Sequence, residues 1–286
     1  MQLKVQGIDV HAVDKGTGVP VLLVHGNPDC SESWRAVIDG LLAHGGFRCV
    51  APDFPGFGRS DEPPPDFDFL PEGQAEYWNW FTATVGIDEP CIAVVHDFGG
   101  PWLLPWVAAH PERVRGLVVT NTLFHHAYRW HFWARVWQTP VLGELAMLWT
   151  PKWLFRRELA KGDPALPMSH ADEAHGWSHR AMRRTVLRTY RAHAQPGQVL
   201  GDWPDRLKAA IASMPREVLW GDLDPYLPRW MADDWGVNAT HVADAGHWLP
   251  VSRPKLVVEA VRRVHDAAAQ SGPSASGKVS TSPRAS

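Results

Sequence analysis

The 286-residue chain is predicted to fold as an α/β protein on a mostly parallel sheet, with a block of helices inserted into it. Three observations predict this class. Short apolar runs alternate with helix-compatible stretches as far as residue 122, and such a β-α-β-α-β rhythm requires crossover helices and parallel strands. Two of the runs, VPVLLVHG and CIAVVHD, are apolar almost without interruption, as strands buried on both faces must be. The rhythm then stops, leaving only amphipathic helical segments from Leu123 to about Trp203, and resumes with REVLWGDLDP.

Taken in order, LKVQG, IDVHAV and VPVLLVHG are the first three strands, followed by a helix around Trp34 to Leu42. The strand FRCVAPD leads into FPGFGRSDEPPP, a loop punctuated by Gly and Pro. A helix from Gly73 to Val85, the strand CIAVVHD, a helix after Gly99 and the sixth strand, GLVVTNT, complete the first part of the core, residues 1–122. Pro101 fits the first turn of its helix, whereas Pro105 lies deeper and would kink it. Residues 123–203 form the helical insertion, which reads as a lid over the strand ends. The second part of the core, residues 204–270, holds REVLWGDLDP (strand, then loop), ATHVADAGHW (strand, then loop) and a last helix, KLVVEAVRRVHDA. Residues 271–286, rich in Ser, Gly and Pro, have nothing to bury and are expected to be disordered.

A net charge of −3, with Lys and Arg interspersed among acids, argues against nucleic acid as a partner. The amino terminus lacks a basic segment followed by an apolar run, and no apolar stretch reaches membrane-spanning length. Neither a secretory signal nor a membrane partner is expected. Cys30, Cys49 and Cys91 are scattered, odd in number and off metal-ligand spacing, which fits a reduced, cytoplasmic setting. His170, His175 and His179 invite a zinc reading, but no H-E-x-x-H accompanies them, and no metal or other cofactor is expected. Of 16 tryptophans, seven fall between Trp130 and Trp203; their helical spacing suggests packing of the insertion onto the sheet, with one or two left to face a pocket.

Polar groups stand at three strand ends, where loops of an α/β sheet line the ligand crevice. Asp97 follows CIAVVH, Asp224 closes G-D-L-D after VLW, and His247 lies in A-G-H-W. Alone, an aspartate such as Asp97 would be read as a helix cap. The order nucleophile, acid, histidine instead matches a triad whose nucleophile sits on a strained strand-turn-helix elbow. Gly99 supplies the small residue that such a turn needs. Asp222 competes with Asp224 for the acid position.

The segments HGNPDCSESW, DFPGFGRSD, VVHDFGG, LWGDLDPYLP and AGHWLP together resemble the haloalkane dehalogenase and epoxide hydrolase branch of the α/β-hydrolase fold. The resemblance runs from about Val21 to Val261, and the insertion from Leu123 matches that branch's helical cap. It implies Asp97 as nucleophile, Asp224 (the end of G-x-x-D, in preference to Asp222) as acid and His247 as base, with the backbone N–H groups of Asn27 and Phe98 as oxyanion hole. It further implies an aspartyl ester: Asp97 attacks carbon, and His247 then activates water against the ester. The chemistry agrees, because a carboxylate is ionised at neutral pH and suits in-line displacement at sp³ carbon. The implied partners are a small apolar organic substrate and water, and the chain is expected to be a monomer or homodimer.

Carbon–halogen cleavage is favoured by Asn27 in H-G-N-P, which resembles the halide-binding asparagine of dehalogenases, and by Val95 before His96. Against it, dehalogenases carry Trp after the nucleophile, where this chain has Phe98; Trp130 or Trp133 would have to supply the missing N–H. For epoxide opening, Tyr190 resembles one of two cap tyrosines, while the place of the other holds Trp133, with Tyr128 nearby. Haloacids are not expected, since Phe98 and Pro101 occupy the neighbourhood where fluoroacetate dehalogenase has arginines, although His131, Trp130 and Tyr190 resemble that enzyme's halide-binding set in type. A serine-type esterase lacks its serine at the elbow. A ligand receptor without catalysis has no need of all three triad groups.

Overall fold

Strand periodicity sorts the core into two layers. Val21, Leu23, Ile92 and Val94 point to one face of the sheet, and Leu22, Val24, Ala93 and Val95 to the other, all of them fully buried. The computed structural model describes residues 1–271, so the tail expected to be disordered lies outside the described residues beyond Ser271. Eight strands form the sheet: β1 (Gln2–Val5), β2 (Ile8–Gly16), β3 (Val19–Val24), β4 (Phe47–Pro52), β5 (Cys91–Asp97), β6 (Val114–Thr122), β7 (Arg216–Gly221) and β8 (Thr240–Val242). Their order in space is β1-β2-β4-β3-β5-β6-β7-β8. β2 pairs antiparallel with β1 and β4, and every pairing from β4 across to β8 is parallel.

On one face lies α1 (Arg35–His44); on the other lie α2 (Pro71–Thr84) and α3 (Gly99–Ala109). Pro105 is accommodated inside α3, which continues past it to Ala109. Between β6 and β7 come α4 (Phe132–Gln138), α5 (Leu142–Leu148), α6 (Lys152–Gly162), α7 (Met168–Trp177), α8 (Arg180–Ala192), α9 (Pro196–Val199) and α10 (Trp203–Ala210). No residue from 123 to 203 is in a strand. α10 starts at Trp203 and packs on α3, alongside α2 on that face of the sheet. After β8 come α11 (Leu249–Ser252) and α12 (Pro254–Ser271), the latter packing with α1 on the opposite face. Among the described residues no helix is long and apolar enough to cross a membrane.

The inserted helices are tied to loops at the carboxyl ends of the strands. His170 of α7 bonds Asp29 at 2.8 Å, and His179, the N-cap of α8, reaches the Gly58 carbonyl at 3.0 Å. Arg184 pairs with Glu62, and Arg188 donates to the carbonyls of Pro63, Pro64 and Pro65.

Candidate active site

β5 is buried along its whole length, and its last residue, Asp97, has φ of 47°. A non-glycine residue holds that left-handed conformation only where its surroundings impose it. Here the chain passes from β5 to α3 through Phe98 alone, and the helix start lies against the end of β3. A Cβ at Gly99 would collide with the Val24 carbonyl oxygen and stand 3.0 Å from that of His25; one at Gly26 would run into the Asp97 side chain. The register of β5 against β6 also shifts at His96/Asp97, and the Thr122 hydroxyl donates to the Asp97 carbonyl. The elbow is therefore fixed from both neighbouring strands.

Asn27 donates its backbone N–H to Asp97 Oδ2 at 2.8 Å, and the N–H of Phe98 also bonds this carboxylate. Oδ1 lies 3.6 Å from His247 Nε2. On the far side of the imidazole, Nδ1 meets Asp224 Oδ2 at 2.7 Å. Asp224 accepts three more bonds: from Asn121 Nδ2 at 2.8 Å and from the backbone N–H groups of Tyr226 (2.7 Å) and Leu227 (3.1 Å). The structure thus brings Asp97, Asp224 and His247 into one chain of contacts. Asp222 points elsewhere, to His241 at 2.7 Å.

Burial pushes the Asp97 carboxyl up to about 6, against the opposing pull of His247 and the two N–H groups. Burial alone would lower His247, but the carboxylates of Asp224 and Asp97 outweigh it and raise the imidazole to about 9. The His96 ring packs 4.8 Å from that of His247 and stays neutral, its pKa lowered to about 3 by burial and by the neighbouring imidazolium.

Above Asp97 is a cavity between sheet and inserted helices, lined mostly by apolar and aromatic side chains. Asn27, Trp130, Trp133 and Tyr190 all line it. Their polar ends differ in availability. The indole N–H of Trp130 donates to the His193 carbonyl at 2.7 Å, and that of Trp133 to Glu158 Oε2 at 3.0 Å. Neither indole is free to replace the donor that Phe98 lacks; Trp130 instead stacks on the Phe98 ring. Tyr190 accepts a long 3.4 Å bond from Asn27 Nδ2, and its own O–H has no acceptor among the described residues. Burial and the nearby Asp97 charge raise this phenol well above its ordinary value, so it stays a proton donor.

The sequence does not single out Asn121 or Asp29, and it singles out His131 only for its resemblance in type to a halide-binding residue. His131 lines the cavity as the N-cap of α4: its Nδ1 accepts from the Ala134 N–H at 3.3 Å, which leaves the proton on Nε2. Asn121 braces Asp224, and its position at the end of the sixth strand was the available clue. Asp29, two residues after Asn27, accepts from Trp248 Nε1 at 3.0 Å as well as from His170, and so ties the Asn27 loop to the residue after His247.

The fold and this site define an α/β hydrolase. Residues 19–264 match the family model of the alpha/beta hydrolase fold, and the chain belongs to that family. Haloalkane dehalogenase 2 of Mycobacterium tuberculosis is 29% identical over 266 residues, covering 88% of this chain and 90% of the relative. Among solved structures, the epoxide hydrolase CorEH superposes with a TM-score of 0.72 at 20% identity, covering 93% of this chain and 98% of that one. A thermophilic esterase from Thermogutta terrifontis gives 0.72 at 22% identity, covering 94% and 98%. The chain is therefore a hydrolase of the α/β-hydrolase fold, and its motifs resemble the dehalogenase and epoxide hydrolase branch. Since an esterase shares the backbone equally well, the chemistry has to be argued from side chains.

Proposed function

We propose that this protein hydrolyses carbon–halogen bonds of small apolar compounds through an alkyl ester on Asp97. The observation that carries the reading is the asymmetric setting of that carboxylate at the cavity: Oδ2 accepts the Asn27 N–H, while Oδ1 lies 3.6 Å from His247 Nε2. Oδ1 attacks the carbon in line and halide departs with the bonding pair, leaving Oδ2 as the ester carbonyl. Water, deprotonated by His247 Nε2, then adds to the Asp97 carboxyl carbon. The N–H groups of Asn27 and Phe98 hold the oxyanion, and collapse expels the alcohol. Asp224 keeps the imidazole oriented and balances its charge. The inserted helices act as a cap that keeps bulk water off the ester. Leaving-group donors come from Asn27 Nδ2, the Tyr190 O–H and His131 Nε2, in place of a paired indole.

Epoxide opening is the second reading, favoured by the Tyr190 O–H, a buried acid without an acceptor facing the same cavity. One experiment separates the two. A His247→Phe variant forms the ester but cannot hydrolyse it, so it is incubated with bromoalkanes and, separately, with terminal and aryl epoxides, and its intact mass is recorded. The expected result is an adduct on Asp97 equal to the alkyl group alone. A mass gain equal to the whole epoxide assigns the second reading instead. Turnover by the wild type of a substrate that never labels the variant overturns the ester mechanism altogether.

A further inference from the structure

The apolar cavity carries one cationic side chain that the proposed reaction does not use. Arg183, in the second turn of α8, lines it together with Met182, Val186 and Tyr190 of the same helix. Its Nε is anchored, donating to the Ser178 carbonyl at 2.9 Å and lying 3.4 Å from the Ser178 hydroxyl. Its two Nη groups have no hydrogen-bond partner and no carboxylate within ion-pair distance among the described residues. The neighbouring arginine, Arg184, is by contrast paired with Glu62. Glu158, which lines the cavity along with Asp97, is already engaged by Lys161 and by the Trp133 N–H. A half-buried guanidinium held by Nε alone, on a residue that lines an apolar cavity, leaves two unpaired Nη groups that suit a carboxylate.

Its position sets the distance to the reacting centre. Arg183, Val186 and Tyr190 fall at i, i+3 and i+7, one stripe of α8, and seven residues of helix rise about 10 Å. Tyr190 is at the Asp97 end of that stripe, bonded to Asn27, and Arg183 is at the other. We infer that Arg183 holds the carboxylate of an amphiphilic substrate whose reacting carbon lies at Asp97, with the aliphatic chain spanning the cavity between them. The inference rests on the proposed role of Asp97 for the placement of the reacting carbon. It differs from short haloacids, which would need a cation beside the elbow, where Phe98 and Pro101 stand.

The test compares ω-bromohexanoate and ω-bromooctanoate with bromohexane and bromooctane on the wild type, Arg183→Met and Arg183→Lys. The wild type is expected to favour the acids in kcat/KM. Arg183→Met should reduce the acid-to-alkane ratio roughly tenfold to a hundredfold, mainly through KM, the size of one charge-assisted hydrogen-bonded contact. Arg183→Lys should restore part of it. Equal use of acids and alkanes by the wild type, or the same loss on both in Arg183→Met, overturns the inference and leaves Arg183 as a brace for the turn between α7 and α8. Calorimetric titration with unreactive octanoate decides the matter without turnover. If no bromide reacts, the halide chemistry fails, yet octanoate binding that weakens in Arg183→Met still supports the site; octanoate binding unaffected by the substitution refutes it.

Discussion

The proposed reaction needs an ionised Asp97, yet burial at the elbow pushes its carboxyl up to about 6. Protonation as the pH falls through that value removes the nucleophile, so the alkylation rate is expected to drop about tenfold per unit below it. His247 has the opposite requirement. It must be neutral to take a proton from water, while the charges of Asp224 and Asp97 hold it up near 9 in the resting state. In the proposed cycle ester formation would solve this, because an alkylated Asp97 would carry no charge and one of the two anions raising the imidazole would disappear at the step where the base is needed. An Asp97→Asn variant mimics that state. By NMR titration its His247 is expected to have a lower pKa than in the wild type; an unchanged or higher value would sink the argument.

At the scale of the element, the elbow is a packing problem before it is a catalytic device. β5 must end, turn and enter α3 within one residue, and the space at Gly99 is bounded by backbone carbonyls of β3 and the residue after it, which cannot move aside. Gly99→Ala is expected to destabilise the fold by about 1–3 kcal/mol and to lower the melting temperature measured by scanning fluorimetry. A variant as stable as wild type would mean that the strand end yields. The same reasoning shows why the elbow was legible in the sequence: a long apolar run, one acid and two glycines leave few other geometries. The strand ends bearing Asp224 and His247 were legible from their order after Asp97 and from the segments LWGDLDPYLP and AGHWLP, not from strand pattern, since β8 is the short run THV. The inserted helices were not. Helical spacing suggests packing for most of the tryptophans there, with one or two at a pocket, but where the indole N–H of Trp130 or Trp133 points depends on acceptors such as the His193 carbonyl and Glu158, which come from other helices. For His131, singled out by type alone, only its place as the N-cap of α4 tells which ring nitrogen carries the proton. The sequence pattern holds the period of a helix and not the partners it meets.

The whole molecule depends on how the inserted helices are seated, and the Asp29–His170 pair is a largely buried side-chain link between them and the strand ends. The Asp29 carboxylate is 2% exposed and the His170 imidazole 11%. Burial by itself would raise Asp29 and lower His170; their mutual attraction reverses both, so Asp29 lies below its ordinary 3.8 and His170 above its ordinary 6.5. The linkage follows from these signs. The raised histidine contributes stability that is complete below 6.5 and is lost as the pH rises through its folded value. The depressed aspartate contributes stability that is complete above 3.8 and is lost as the pH falls through its own. The pair therefore seats the helices best between those two ordinary values and loosens on the alkaline side first. His170→Ala strands a buried carboxylate with only the Trp248 N–H, at a cost of roughly 3 kcal/mol. Amide hydrogen exchange, corrected for its intrinsic pH dependence, should rise in α6 and α7 of this variant while β5 stays protected. The added substitution Asp29→Asn removes the stranded charge and should recover part of the protection. Exchange in α7 that is indifferent to His170→Ala at pH values inside this window would show that the helices are held by apolar packing alone.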